Sequence, residues 1–262
     1  MNKSEIIEFL QYNEKECRVQ MPNEIFDDIG KMEFKTIERK AFLYSYYYLL
    51  LWLYRYAKYG SIKITVKDIK EILGYSRKYD VLDYIIKKDG MLDQLGYTES
   101  TTDFPVTWEF ENGLEFTYFS DMDKDTRKIV SRGSNYKIKV PVKGLHRTQE
   151  SRIEGIEDGV FYEIENTHRI DFDVFAECIE KVGCKGFYVY GYLKYNCDKF
   201  TNYRISLILL AREIGVHKDV LCDIVKSLVN IGLVHCYYNG YTVYDSKDNK
   251  YAKSANTYTI LR

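Results

Sequence analysis

The chain has 262 residues, 45% of them hydrophobic and 29% charged, with a formal net charge of −1. That is the composition of a folded chain long enough for two modest cores, and it excludes a disordered one. The near-neutral balance also excludes indiscriminate nucleic-acid binding, so any DNA contact must use a local basic surface.

In chain order, the first signals are a short lead-in segment, Met21 to Phe26, and an aromatic helix from Ile37 to Tyr56. The most apolar part of that helix, Phe42 to Leu53, carries Tyr44, Tyr46, Tyr47 and Tyr48. It is too short and too polar to span a bilayer and is expected to lie buried, its tyrosines serving core packing more than base stacking. The opening Met-Asn-Lys-Ser-Glu-Ile-Ile-Glu has neither the basic start nor the apolar run of an export signal, so the expectation is a cytoplasmic protein with no membrane partner.

A short amphipathic helix from Ile64 follows, ended by Gly74, and then a longer helix from Asp80 to about Gly90. Strand-like Val106–Phe110 and Leu114–Phe119 flank Asn112-Gly113, a pair that favours a primed hairpin turn. A basic connector comes next, in which Tyr136-Lys137-Ile138-Lys139-Val140 alternates like a strand and sets Lys137 and Lys139 on one face. With only three prolines in the chain and no Ser/Gly-rich run, the domains are expected to touch.

The C-terminal part repeats the N-terminal one. A second lead-in segment, Ile170 to Phe175, and a second aromatic helix, Cys184 to Tyr195, precede a matching pair of helices. Ile64, Val66, Ile69, Leu73 and Gly74 line up with Ile205, Leu207, Leu210, Ile214 and Gly215, 141 residues further on. After the glycine the first copy carries two extra residues. Then Asp80-Val81-Leu82 and Ile85-Ile86-Lys87 match Asp219-Val220-Leu221 and Ile224-Val225-Lys226. In the second copy Leu221, Ile224, Val225 and Leu228 form the core stripe, leaving His217, Lys218, Asp223, Lys226 and Ser227 toward solvent. Gly232 ends that helix, and Leu233–Tyr238, Asn239-Gly240 and Tyr241–Tyr244 read as a second hairpin.

A short helix, a glycine turn, a longer helix and a hairpin make the winged-helix order. The expected fold is therefore α+β: a winged-helix domain with a leading helix over residues 1–120, a basic strand-containing connector over 121–160, and a second winged helix over 161–262.

Charge is unevenly placed. Residues 1–34 hold eight acids and four bases, and residues 153–182 nine acids and two bases. Between them, Lys124 to Arg152 holds nine bases against Asp125 and Glu150. The belt residues Arg127, Lys128, Arg132, Lys137, Lys139, Lys143 and Arg147 are the candidates for phosphate contacts, which supply affinity. Ser76, Arg77 and Lys78 open the first recognition helix and His217 and Lys218 the second, the end that meets base edges, with Lys87 and Lys226 at matching positions beyond. The plainer alternatives are a solvated connector and ordinary polar helix starts, because Asp80, Asp83, Asp219 and Asp223 on the same helices repel phosphates.

Six cysteines and four histidines are scattered without metal-ligand or disulfide spacing, so the thiols are expected to be reduced and no cofactor is expected. Asp121-x-Asp123-x-Asp125 begins like a calcium loop but has Thr126 and Arg132 where glycine and glutamate are needed. No phosphate loop or nucleophile–base constellation is present, and the expectation is that the chain is not an enzyme.

Val19-Gln20-Met21-Pro22-Asn23-Glu24-Ile25-Phe26, followed by a helix and a winged helix, resembles the N-terminal DNA-binding region of plasmid replication initiators of Gram-positive bacteria, the RepA N-terminal type. Tyr192-Leu193-Lys194-Tyr195 through Ile214-Gly215-Val216 to Ile231-Gly232-Leu233-Val234 resembles the winged helix of those initiators and of DnaD-type primosome proteins. The basic connector and the acidic segment after it depart from that pattern. The resemblance implies sequence-specific binding of double-stranded DNA in replication initiation of a plasmid, phage or integrated element. Alternatives are a transcriptional regulator of such an element, or a protein–protein interaction module. The implied partners are DNA and replication or transcription proteins, and a homodimer is left open.

Overall fold

The computed structural model describes residues 1–32, 34, 36–111, 113–133, 136–239 and 255–262. The first half runs through α1 (Lys3–Phe9), β1 (Arg18–Pro22), α2 (Ile25–Lys31), α3 (Ile37–Arg55), α4 (Lys58–Ser61), α5 (Val66–Ile72), α6 (Asp83–Ile86), α7 (Met91–Gln94), β2 (Thr98–Thr101), β3 (Pro105–Phe110) and β4 (Leu114–Tyr118). The segment between the halves holds α8 (Lys124–Val130), β5 (Ile138–Pro141), α9 (Val142–Leu145) and α10 (Gln149–Glu154). The second half holds β6 (Thr167–Asp171), α11 (Phe172–Lys181), α12 (Gly183–Phe200), β7 (Tyr203–Ile205), α13 (Leu207–Ile214), α14 (Lys218–Asn230), β8 (Val234–Tyr237) and β9 (Asn256–Ile260). The architecture is α+β, with small antiparallel sheets.

The lead-in segments pair with each other. β1 and β6 are antiparallel, with Gln20 opposite Arg169 and Met21 opposite His168. When Met21 is set against Ile170 and Phe26 against Phe175, Gln20 corresponds to Arg169. Two equivalent strands thus meet at their own equivalent residues, which is the self-complementary contact of a two-fold axis, here within one chain.

α3 lies beside that axis. Lys40 through Tyr54 are all buried, as expected of a helix that is apolar all round. It packs against α12, and the closest approach is at Gly191, where a Cβ would sit 2.1 Å from the Tyr44 hydroxyl oxygen. The tyrosines of α3 bring polar atoms into this core, where Tyr44 and Tyr48 find partners and the Tyr47 hydroxyl has none among the described residues. Tyr48 donates to the Ile170 carbonyl at 3.0 Å, and Trp52 Nε1 donates to the Glu16 carbonyl at 2.7 Å. His168 is fully buried. Its Nδ1 lies 2.9 Å from Asn23 Oδ1 and its Nε2 lies 2.6 Å from the Tyr44 hydroxyl. Because a carbonyl oxygen only accepts, Nδ1 carries the proton and Nε2 accepts from Tyr44. Burial, with a smaller push from Lys194, lowers the imidazole pKa to about 3.

Each half also caps a helix of the other. The Lys40 ammonium, near the start of α3, donates to the Ile214 carbonyl at the end of α13, at 3.1 Å. The Cys184 thiol, near the start of α12, donates to the Leu73 carbonyl just past α5, at 3.4 Å. Leu73 and Ile214 occupy matching places in the repeat, so the two caps are related by the same pseudo-symmetry. Both fill carbonyls that a helix end leaves unpaired. One apolar core runs through both halves.

Two expectations are corrected. The first copy does not form a long second helix from Asp80 to Gly90: the chain gives the single turn α6, a break at Lys87–Asp89, and the single turn α7. Lys87 is extended, Asp89 has φ +57°, and the Lys87 carbonyl accepts from Lys139 Nζ at 3.1 Å. The connector is also not a separate strip, since β5 pairs with β2 and joins the first half. The hairpin β3–β4 forms on either side of Asn112-Gly113, although Asn112 itself lies outside the described residues. Gly240 and Tyr241 to Tyr244 also lie outside them, and the described partner of β8 is β9.

Candidate nucleic-acid interface

Local sequence sets the geometry of α13 and α14. Ser206 caps α13 through its side chain, and Gly215, at φ +78°, reverses the chain into the left-handed region that a residue with a Cβ avoids. His217 then caps α14, its Nδ1 accepting from the Asp219 amide at 3.4 Å. Leu221, Ile224, Val225 and Leu228 face inward and are buried. His217, Lys218, Asp223 and Lys226 face outward and are exposed, with Ser227 partly covered. Behind the helices stands a three-stranded antiparallel sheet in the order β7–β9–β8.

The charge on α14 is nearly balanced. His217 sits 3.5 Å from Asp219, and Lys226 sits 3.8 Å from Asp223. Other exposed bases add to the surface: Arg204 on β7 and Arg212 on α13. Arg204 and Tyr237 both pair with Thr257, so the three residues form one row across the sheet. With Asn239 and Ala255 they border a groove of about 470 Å³. Tyr237 and Tyr238 are exposed, at 60% and 57%. Sequence reading missed Arg204 and Arg212. The alternation of Val234-His235-Cys236-Tyr237 does signal an outward Tyr237, but the three-residue β7 is too short to leave a periodic trace.

In the first half, Ser76, Arg77 and Lys78 are exposed, but they lie in the turn after Gly74 and not on a helix. The Arg77 guanidinium is held by Glu71 at 2.6 Å and Asp68 at 2.7 Å. Its hydrogen bonds to those two carboxylates raise its pKa further. Lys87 is exposed at the break that follows α6.

The belt is dispersed, and much of its charge is committed internally. Lys139 is buried with its ammonium 2.5 Å from Asp93, whereas Lys137, just before β5, is exposed. The expected shared face of these two lysines is therefore not present, because Lys139 turns in to pair with the half-buried carboxylate of Asp93. Lys143 reaches Glu24 at 3.3 Å and sits over the Tyr97 ring. Arg132 donates to the Gly60 carbonyl at 2.7 Å, and Arg127 to the Met122 carbonyl at 2.7 Å. Arg147 binds the carbonyls of Asp158, Glu163 and Glu165. Lys128 is exposed and 2.9 Å from Asp125.

All six cysteines are free thiols, four of them buried. Among the described residues no group of His, Cys, Asp or Glu is arranged to hold a metal ion, and no helix is long and apolar enough to cross a membrane. No protein-family model, curated protein or solved structure matches this chain.

Proposed function

We propose that residues 183–262 form a winged helix that binds double-stranded DNA, with α14 in the major groove and the β7–β9–β8 sheet against the backbone. The observation that carries the reading is the pairing of α13 and α14 through Gly215, with the apolar stripe inward and His217, Lys218 and Lys226 outward. A helix presented in this way fits the major groove, and its N-terminal residues are the ones that reach base edges. Arg204 on β7 and Arg212 on α13 supply the positive charge that the near-balanced outer face of α14 lacks. The first half is a second copy with its recognition helix interrupted, so the chain engages one half-site more strongly than the other. Sequence-specific action at the origin of a plasmid, phage or integrated element is the role proposed, and control of such an element's transcription would use the same surface.

The test is a salt titration of the full chain on random duplex and on DNA flanking its own gene. About four phosphate contacts give a slope of log K against log salt near −3 to −4, and replacing Arg204 by Ala lowers the slope by about one. Native DNA should be favoured by about a thousandfold or more. Absence of binding to either duplex at low salt would instead favour a protein-docking role, for which the exposed Ile208, Leu209 and Val220 provide apolar surface.

A further inference from the structure

The two halves carry the same pair of strands, and the first half lacks the third. The Val142 amide donates to the Tyr97 carbonyl at 2.9 Å, and the Leu261 amide to the Leu233 carbonyl at 3.0 Å. Each bond continues an antiparallel pair, β5 with β2 in the first half and β9 with β8 in the second. Gly96 and Gly232, both at φ +72°, stand two positions ahead of β2 and β8. β2–β5 is thus the counterpart of β8–β9, with Lys139 matching Tyr258 and Lys137 matching Asn256. In the second half β9 is the middle strand, and Tyr258 and Asn256 lie opposite Tyr203 and Ile205 of β7. The repeat matches those two residues to Ile62 and Ile64, which belong to no strand although the backbone at Ile62 is extended, with φ −121° and ψ 132°.

One edge of β5 is therefore open. In an antiparallel ladder alternate residues turn their amide and carbonyl toward the partner strand. Because Val142 bonds to Tyr97, Val140 and Ile138 also face β2, and Lys139 turns its backbone groups the other way. Among the described residues no backbone group meets them there. Pro141, further along the same edge, has no amide to offer, as suits an edge strand. The Ile64 carbonyl instead accepts from the Tyr136 hydroxyl at 2.9 Å, a side chain spanning the place of a missing rung. A cavity of about 400 Å³ lies between residues 64–66 and 136–139. Ile64, Ile69, Ile86 and Ile138 give it apolar walls. Lys87, Lys88 and Lys137 border it, exposed and without an ion pair among the described residues, whereas the Lys139 ammonium is turned away to Asp93.

We propose that this slot takes a strand from a protein partner, an extended segment that pairs with the Lys139 amide and carbonyl and alternates apolar with acidic side chains. An exposed sheet edge is a template for such pairing. Main-chain bonds supply affinity in this mode, and alternate side chains supply selectivity. The isoleucine walls call for apolar side chains and the three free lysines for carboxylates, and alternate positions of one strand provide both. The equivalent place in the second half is filled by the three residues of β7, which sets the length of the paired part. A nucleic acid has no row of amides and carbonyls to complete the ladder. A second copy's β7 would bring Arg204 against the lysines. The slot is separate from α14, so it does not depend on DNA binding.

Amide hydrogen exchange of the full chain, read residue by residue by NMR without DNA, tests the proposal. The probes are capped heptapeptides that alternate Asp or Glu with Val, Ile or Phe. In the free chain the Lys139 amide should exchange about tenfold or more faster than that of Val140, which faces β2. The acidic peptides should slow Lys139 about tenfold or more, and the same peptides N-methylated throughout should have no effect. Peptides with Lys in place of the acids should bind about tenfold more weakly, as should the acidic ones to a Lys87→Ala/Lys137→Ala variant. The proposal is overturned if Lys139 is already as protected as Val140 in the free chain, if no acidic peptide slows it, or if the N-methylated peptides bind as well. Protection that grows with protein concentration alone would put a second copy in the slot and overturn it too.

Discussion

The two halves begin alike and part company at the second helix. In the C-terminal half α14 runs for 13 residues with its apolar stripe against α12 and α13. In the N-terminal half the matching residues Leu82, Ile85 and Ile86 are just as buried, but the helix lasts 4 residues. What differs is the neighbour. At the break a buried ammonium, Lys139, donates to the Lys87 carbonyl, which also accepts from the Gly90 amide, and it binds Asp93 beyond. Apolar spacing decides which side of a segment is buried and leaves open how far the helix continues.

The sharpest way to break that comparison is to remove the charge. Asp93→Ala leaves the Lys139 ammonium buried and unpaired and should cost about 3–5 kcal/mol in urea unfolding. Asp93→Leu combined with Lys139→Met should recover most of this loss and raise the far-UV helical signal as α6 extends. A recovered stability without added helix would show that something other than the ion pair breaks the segment.

A smaller effect separates the shared seam from both outer regions. His168 is neutral in the fold with its pKa lowered to about 3, while in the unfolded chain it takes up a proton near 6.5. The unfolded state therefore binds more protons as pH falls below about 6.5, and stability declines by roughly 1.4 kcal/mol per unit until the folded value is reached. About 2 kcal/mol should be lost by pH 5 from this group alone. A His168→Asn variant, whatever its stability at pH 7, should lack this part of the slope.

Smaller still is the difference between the two reciprocal caps. Lys40→Met removes a charged donor from the end of α13 and should cost about 1.5 kcal/mol. Cys184→Ala removes a weak thiol donor from the end of α5 and should cost about half as much or less. Equal losses would mean that packing, and not the hydrogen bond, sets the value of both positions.

Much of this was legible in the residues. The run from Phe42 to Leu53 has no polar face and lies wholly buried, and the stripe Leu221, Ile224, Val225 and Leu228 points inward as its spacing requires. The break at Lys87–Asp89 was not legible, because the buried ammonium that meets it stands on a strand some fifty positions away. Nor was the burial of Lys139, since strand alternation assigns a face without saying which face meets solvent. The pairing of β1 with β6 joins segments that are each unremarkable alone, and only the repeat hints that they are equivalent. Of the candidate DNA surface, His217, Lys218 and Lys226 stand where the helical period puts them. Arg204 and Arg212 needed the sheet and the turn before they could be placed beside them.

The strand pair at the pseudo-axis also fixes the order of events during synthesis. α3 is complete at Arg55, but the helix that covers it, α12, ends 145 residues later at Phe200. At about 5–20 residues per second, a helix with no polar face waits on the order of 10–30 s for its cover. The nascent chain should therefore hold the N-terminal half in an open, sticky form through most of translation, and it should depend on chaperones until the second half emerges to close the seam.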